Sequence, residues 1–264
     1  MQRSYGARRP RSPHHGSPKA IVARAMNALF AEYSAEGVSA LFSEGYVQHN
    51  PNVRTGREPI LGLLPALREA GFGYTLHRAI EDGDLVVTHT TCHNADFFGA
   101  KEVVAFDVWR VEDGKVAEHW DSIQPLAADT ASGRSQTDGV TEVVDLDRTE
   151  QNKELVRGFV RDILIGADRT AWDGYIRDGR YAQHNPMVED GPDALRAALE
   201  SLRMKEVRRV IGEGNFVLTQ SRAEWDERPF VFYDLFRVED GAIVEHWDVL
   251  QEIPEEMAHP NGML

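Results

Sequence analysis

Apolar residues recur every three or four positions through KAIVARAMNALFAEYS, VSALF and EPILGLLPALREA, the period of helices that bury one face, with Pro65 expected to interrupt the third. After Gly73 the period shortens to two. YTLHRAIE, LVVTHTTCH, EVVAFDVWRV and KVAEHWDSIQ are rich in β-branched and aromatic residues and predict four strands. The chain then repeats the order: VRGFVRDILI, AWDGYI and PDALRAALESL as helices, followed by KEVRRVIG, FVLTQSRAE, PFVFYDLFRV and AIVEHWDVLQ as strands. Helices first and an antiparallel sheet after, written twice, is an α+β pattern.

The repetition extends to the letters. DVWRVEDGKVAEHWDSIQ, beginning at Asp107, and DLFRVEDGAIVEHWDVLQ, beginning at Asp234, agree at 11 of 18 positions. The hexapeptide YVQHNP at Tyr46, which reads as the way out of a helix, returns as YAQHNP at Tyr181. A unit of roughly 110 residues is a comfortable small domain and too long for a solenoid repeat, so the chain reads as a duplicated domain. The expected division is a disordered lead over 1–18, a first domain over 19–127, a polar Gly/Ser/Thr-rich linker over 128–147 and a second domain over 148–264. Asp147 and Glu150 have capping-box spacing, which predicts a helix from about Arg148 to Ile165 with Gly166 placed to end it.

Charge narrows the function. The chain has 29 Lys and Arg against 43 Asp and Glu, a formal charge of −14 that repels phosphate backbones and anionic lipid, so neither nucleic acid nor a membrane surface is an expected partner. The basic lead is followed by no apolar h-region, and no run approaches the length of a membrane span. A single cysteine, Cys92, allows no internal disulfide and fits a reducing, cytoplasmic location. Phosphate loops, CxxC pairs, GxSxG elbows and HExxH helices are all absent from the sequence. What remains is cofactor-free acid/base chemistry or simple binding.

Candidate chemistry sits in the repeated segments. Asp107 and Asp234 each interrupt an apolar strand, where a carboxylate needs a partner and where burial raises its pKa toward neutrality, as a general acid/base requires; a plain buried Asp satisfied by an amide or an arginine is the alternative. His89 and His93 share a strand face but lie about 13 Å apart, too far to hold one metal, and no metal site is expected. Gln48, His49 and Asn50, with Gln183, His184 and Asn185, would either hydrogen-bond their own loops or hold a carbonyl oxygen at a pocket mouth. Trp109, Trp120 and Trp247 divide between packing and an aromatic cavity wall. Asp113-Gly114 is a type I′ hairpin signal, and counting back from it pairs Trp109 with Glu118 and Asp107 with Trp120. That register puts Asp107, Trp109, Glu118 and Trp120 on one face and His119 and Asp121 on the other, unless it slips by one residue.

These motifs, YVQHNP, the His after the second strand's Val run, DVWRVEDGKVAEHWD and the terminal HPNGML, resemble the SnoaL-like proteins of the nuclear transport factor 2-like superfamily, over essentially Lys19 to Leu264. The resemblance implies two tandem cone-shaped α+β barrels, each with three helices and a curved antiparallel sheet around a pocket. It also implies an aldol condensation, cyclase or related lyase or isomerase activity on an apolar or aromatic carbonyl compound, without cofactor. By similarity the acid/base role falls on Asp107, with His93 and His89 as neighbouring candidates, and on Asp234 in the second unit. Gln220 and Glu224 stand where the first unit has its histidines, and Phe236 where it has Trp109, so the first unit is the better candidate for activity. A non-catalytic small-molecule-binding protein is the rival reading. The two units are expected to pack sheet to sheet as an intramolecular pseudo-dimer, compatible with a further homodimer.

Overall fold

The computed structural model describes residues 16–168 and 170–264; most of the basic lead, including His14 and His15, lies outside them. The first unit runs α1 (Pro18–Phe30), α2 (Ala35–Leu41), β1 (Phe42–Gln48), α3 (Arg57–Ala70), β2 (Gly73–Asp82), β3 (Leu85–His93), β4 (Glu102–Glu112) and β5 (Lys115–Pro125). Ser17 and Pro18 belong to the first helix and not to a lead: the Ser17 hydroxyl accepts the Ala20 amide at 3.2 Å, and Pro18 occupies the first turn, where its missing N–H costs nothing. Pro65 does not interrupt α3, which continues through it because Ile60, Leu64 and Leu67 bury a common face.

The second unit runs α4 (Thr149–Phe159), β6 (Ala182–Gln183), α5 (Pro192–Ala198), β7 (Leu202–Glu213), β8 (Phe216–Trp225), β9 (Arg228–Glu239) and β10 (Ala242–Glu252). Asp147 does not cap α4; it lies in a 3₁₀ turn over Leu146–Arg148, and α4 has no side-chain cap. The helix continues as a π-helical turn over Val160–Ile165 before Gly166. AWDGYI forms a single 3₁₀ turn.

Each sheet has five strands where four were expected, in the orders β1-β5-β4-β3-β2 and β6-β10-β9-β8-β7. The additional strand carries the hexapeptide. Tyr46 to Gln48 do not leave a helix but end β1, which runs parallel to β5 at the sheet edge, as β6 does to β10, so both sheets are mixed. Both faces of the duplication share one further feature that decides the site. The hairpin closes as expected, with Glu112 opposite Lys115, but Ala117 is an extra residue between the Val111–Val116 and Arg110–Glu118 pairs. Beyond this bulge Trp109 pairs with His119 and Asp107 with Asp121. The expected face assignment is therefore reversed: Asp107, Trp109, His119 and Asp121 share a face, and Glu118 and Trp120 take the opposite one. Val244 makes the same bulge in the second unit.

One face of each sheet packs on its own helices. The other faces pack on each other: Phe106, Val108 and Trp120 share a buried cluster with Tyr233, Leu235 and Trp247. Polar groups cross this layer reciprocally. Gln251 Oε1 accepts the Ile123 amide at 3.0 Å, and its counterpart Gln124 accepts the Leu250 amide at 2.9 Å. Arg78 of the first unit covers the Trp247 ring of the second at 4.1 Å, and Arg209 covers Trp120 at 3.9 Å. Reciprocal contacts of this kind are the mark of a self-complementary, two-fold interface.

Candidate active site

In the first unit the helix-facing side of the sheet lines a cavity of about 320 Å³, walled by residues such as Met26, Leu29, Ile60 and Phe72. Its polar end is built by β1, β4 and β5. Gln48 Oε1 accepts the backbone amides of His49 and Asn50, both at 2.9 Å, which fixes which end of the amide is oxygen. That oxygen also meets His119 Nδ1 at 3.0 Å, so Nδ1 carries the proton and donates it. The other nitrogen, His119 Nε2, lies 3.0 Å from Asp107 Oδ1. With Nδ1 engaged by Gln48, Nε2 is the ring nitrogen left to face the carboxyl. Asp107 Oδ2 accepts from the Thr88 hydroxyl at 3.2 Å, and Thr88 Oγ1 accepts the Trp109 indole N–H at 3.0 Å.

Asp121 is held differently. Its Oδ2 accepts from Asn50 Nδ2 at 2.8 Å, with Asn50 oriented in turn by the Asn52 amide on its own oxygen. Asp121 Oδ1 is buried without a hydrogen-bond partner among the described residues, in the wall of the cavity. Burial, aided by the Asp107 charge and opposed by His119 and Asn50, pushes the Asp121 carboxyl up from 3.8 to about 6. Tyr46 accepts from Gln48 Nε2 at 3.2 Å and donates to no described residue, and burial with the two carboxylates holds its phenol well above the ordinary value. The apparatus thus offers a carboxyl poised near neutrality, a His119–Asp107 pair with donor atoms within 4.8 Å of it, and a phenolic donor.

Gln48, Asn50, Asp107 and Trp109 line this cavity, as do Gln183, Asn185 and Asp234 in the second unit. The other sequence candidates lie elsewhere. His89 faces the inter-unit layer, stacked on Phe106 at 4.2 Å beside Arg78, and burial drives its pKa well down. His93 is paired with Glu102 and Thr75 at the outer end of its strand. His49 stacks on Trp120 at 4.7 Å and His184 on Trp247 at 4.6 Å, all four behind the cavities on the inter-unit side. Alternation along β3 explains the histidines: Thr88, Thr90 and Cys92 point to the cavity, so His89 and His93 cannot. His119 and Asp121, the residues missed, were visible in the paired EHWD runs; only the bulge hid which side they take.

The second unit repeats the constellation around a smaller cavity of about 230 Å³. His246 Nδ1 donates to Gln183 Oε1 at 2.9 Å, His246 Nε2 meets Asp234 Oδ1 at 3.1 Å, and Asn185 donates to Asp248 at 2.7 Å. Burial opposes charge on His246, but Asp234 and Asp248 outweigh it and raise its pKa, while burial first and Asp234 next bring Asp248 to about 6. Asp248 Oδ1, Asp234 Oδ2 and the Tyr181 hydroxyl are buried without partners among the described residues.

Asp107, His119 and Asp121, like Asp234, His246 and Asp248, also form a donor set that a divalent metal could use, which the sequence reading did not foresee. As they stand, each imidazole already has both nitrogens engaged, by carboxylate and by glutamine. Cys92 lines the first cavity as a thiol that burial pushes up to about 12, too weak an acid to act as a nucleophile. Among the described residues no helix is long and apolar enough to cross a membrane.

Residues 23–119 match the family model of the SnoaL-like domain. No curated protein sequence matches the chain. Among solved structures, the candidate polyketide cyclase IdmH of Streptomyces antibioticus is similar at 22% identity and a TM-score of 0.36, covering 41% of this chain and 93% of its own. An LEH-like epoxide hydrolase of M. tuberculosis is similar at 22% identity and 0.35, covering 42% and 86%. An NTF2-like protein of unknown function from Cytophaga hutchinsonii is similar at 16% identity and 0.36, covering 43% and 96%. The match to the SnoaL-like domain thus falls within the first unit, and the second unit repeats the same α+β arrangement of a five-stranded mixed sheet with helices.

Proposed function

We propose, from a first unit that matches the SnoaL-like domain over residues 23–119, that the protein is a cofactor-independent general acid/base enzyme acting on a small apolar or aromatic carbonyl compound. The observation that carries this reading is Asp121 Oδ1, a buried carboxylate oxygen with no hydrogen-bond partner among the described residues, beside a His119–Asp107 pair at the polar end of an apolar cavity. In the proposed reaction Asp121 takes a proton α to a carbonyl; the C–H electron pair moves into an enolate whose oxygen Tyr46 stabilises by donation. The enolate carbon then attacks a second carbonyl of the same molecule, the new alkoxide takes a proton from the His119–Asp107 pair, and the proton on Asp121 passes back to that pair to restore the starting state. Return of the proton to a different carbon would give an isomerase, and reversal of the C–C step a lyase, with the same groups.

The candidates Gln48 and Asn50 act in this scheme by orienting His119 and Asp121, and Trp109 by holding Thr88 on Asp107. Asp234, His246 and Asp248 would perform the same chemistry in the second unit on a smaller compound. Pairing of the two units as an intramolecular pseudo-dimer, with domains over about 19–127 and 148–264, belongs to the same proposal.

Thermal unfolding against a panel of aromatic and cyclic ketones tests it. A compound at about 100 times its dissociation constant stabilises the wild type by roughly 2.7 kcal/mol. A ligand that binds the wild type and Asp121→Asn equally, and is turned over by neither, sinks the enzyme reading in favour of a binding protein; loss of turnover in a chelator would instead assign the donor set to a metal.

A further inference from the structure

The turn that carries Gln48 and Asn50 is held from outside its own unit. Ala258 N donates to Pro51 O at 2.7 Å, His259 Nε2 to Asn50 O at 2.8 Å and Asn261 Nδ2 to Gln48 O at 2.9 Å, while His49 Nδ1 donates to Gly262 O at 2.8 Å. His259 is itself fixed, its Nδ1 accepting the Asn261 amide at 3.3 Å. All of these residues follow β10 of the second unit. The converse holds at the other site: Ala131 N donates to Pro186 O at 2.9 Å, the Ser132 hydroxyl to Gln183 O at 2.7 Å and His184 Nδ1 to Ser135 O at 2.6 Å, from the segment that follows β5 of the first unit. Ala131 and Ser135 stand in the repeat where Ala258 and Gly262 stand, so the exchange was duplicated with the domain.

We propose that the segment after each sheet is a positioning element for the site of the other unit, with His259 and Asn261 setting the geometry of His119 and Asp121. The physical reason is leverage. The backbone carbonyls of Gln48, Asn50 and Pro51 leave the ladder at the end of β1, and buried carbonyls need donors; the exchanged segment supplies them. The side chains of Gln48 and Asn50 point the other way and hold His119 and Asp121. Loss of the clamp frees the turn and admits water to the carboxyl. The functional importance of this clamp rests on the acid/base reading above, but the clamp itself is tested without turnover.

Carbon-13 NMR titration of the aspartate carboxyls, with protons as the only ligand, makes the test. In the full chain carrying His259→Ala and Asn261→Ala, the Asp121 midpoint should fall from about 6 by about one pH unit or more as burial is relieved, with Asp248 unmoved. Asn261→Ala alone, a milder change, should give a smaller shift in the same direction. Ser132→Ala should move Asp248 and leave Asp121. If Asp121 keeps its midpoint in both tail variants, or if the two carboxyls move together in either unit's variant, the proposal is wrong. A displaced Asp121 in a chain whose wild type turns over no carbonyl compound would retain the clamp and dismiss the acid/base reading.

Discussion

In the first unit Asp107 Oδ2 is reached by the Thr88 hydroxyl, which is itself reached by the Trp109 indole. In the second unit Phe236 replaces the tryptophan and has no N–H to give; Asp234 Oδ2 and Thr219 Oγ1 are both buried without partners among the described residues. The inner arrangement of glutamine, histidine and aspartate, with asparagine on the second aspartate, is the same in both. The comparison separates two layers of a polar site. The inner layer is the same in both units; the outer layer differs by one indole N–H.

The comparison can be broken most forcefully at Asp121 and Asp248. Asp121→Asn should lower turnover on the larger carbonyl substrates by about 10²–10⁴-fold, the usual worth of a positioned general base, and Asp248→Asn should do so only for smaller ones. A single variant that silences all activity would show that one unit alone is alive. Next in size is the shared layer: Trp120→Ala and Trp247→Ala should each cost about 3–5 kcal/mol in denaturant unfolding, because each ring is buried against an arginine from the other unit. Unequal costs would mean that the interface is less symmetric than its contacts.

Titration gives a comparable effect. A carboxyl whose folded pKa lies above its unfolded value favours the fold when protonated, so its contribution is full below about pH 4 and is lost as pH rises through about 6. The rise of Asp121 from 3.8 to about 6 corresponds to roughly 3 kcal/mol. Asp121→Asn should therefore unfold like the wild type near pH 4 and be more stable by that order at pH 8, with Asp248→Asn behaving alike. The smallest change sharpens the outer layer. Trp109→Phe leaves Thr88 without its donor and should cost about 0.5–1.5 kcal/mol in stability, with the first site's pH–rate profile moving toward the second's; the reciprocal Phe236→Trp should move the second toward the first.

Much of this was legible in the letters. The duplicated domain, the helices-then-sheet order and the Asp-Gly hairpins follow from periodicity and turn chemistry, and Gln48, Asn50, Asp107 and Trp109 do line a cavity. The failures have local causes. β1 contains Ser43, Glu44 and Gly45 and is paired on one side only, so it lacks the alternating pattern that marks a strand. The bulges at Ala117 and Val244 leave no signature in alternation, yet each turns His119 and Asp121, or His246 and Asp248, from the outside of the sheet to the site. His89 and His93 drew notice as imidazoles, but Thr90 and Cys92, which alternate with them, already had the cavity side. The exchange of segments joins residues 209 positions apart between His259 and Asn50 and 51 apart between Ser132 and Gln183, which no local pattern encodes.

The account depends on proton abstraction by Asp121, and solvent-deuterium exchange reads that step without waiting for a complete reaction. A ketone found to stabilise the wild type would be incubated in deuterium oxide and its α-carbon followed by NMR. The account predicts incorporation catalysed by the wild type, abolished in Asp121→Asn while the ketone still binds, and retained in His93→Ala. Incorporation at the uncatalysed rate with the wild type, or an undiminished rate in Asp121→Asn, would contradict it.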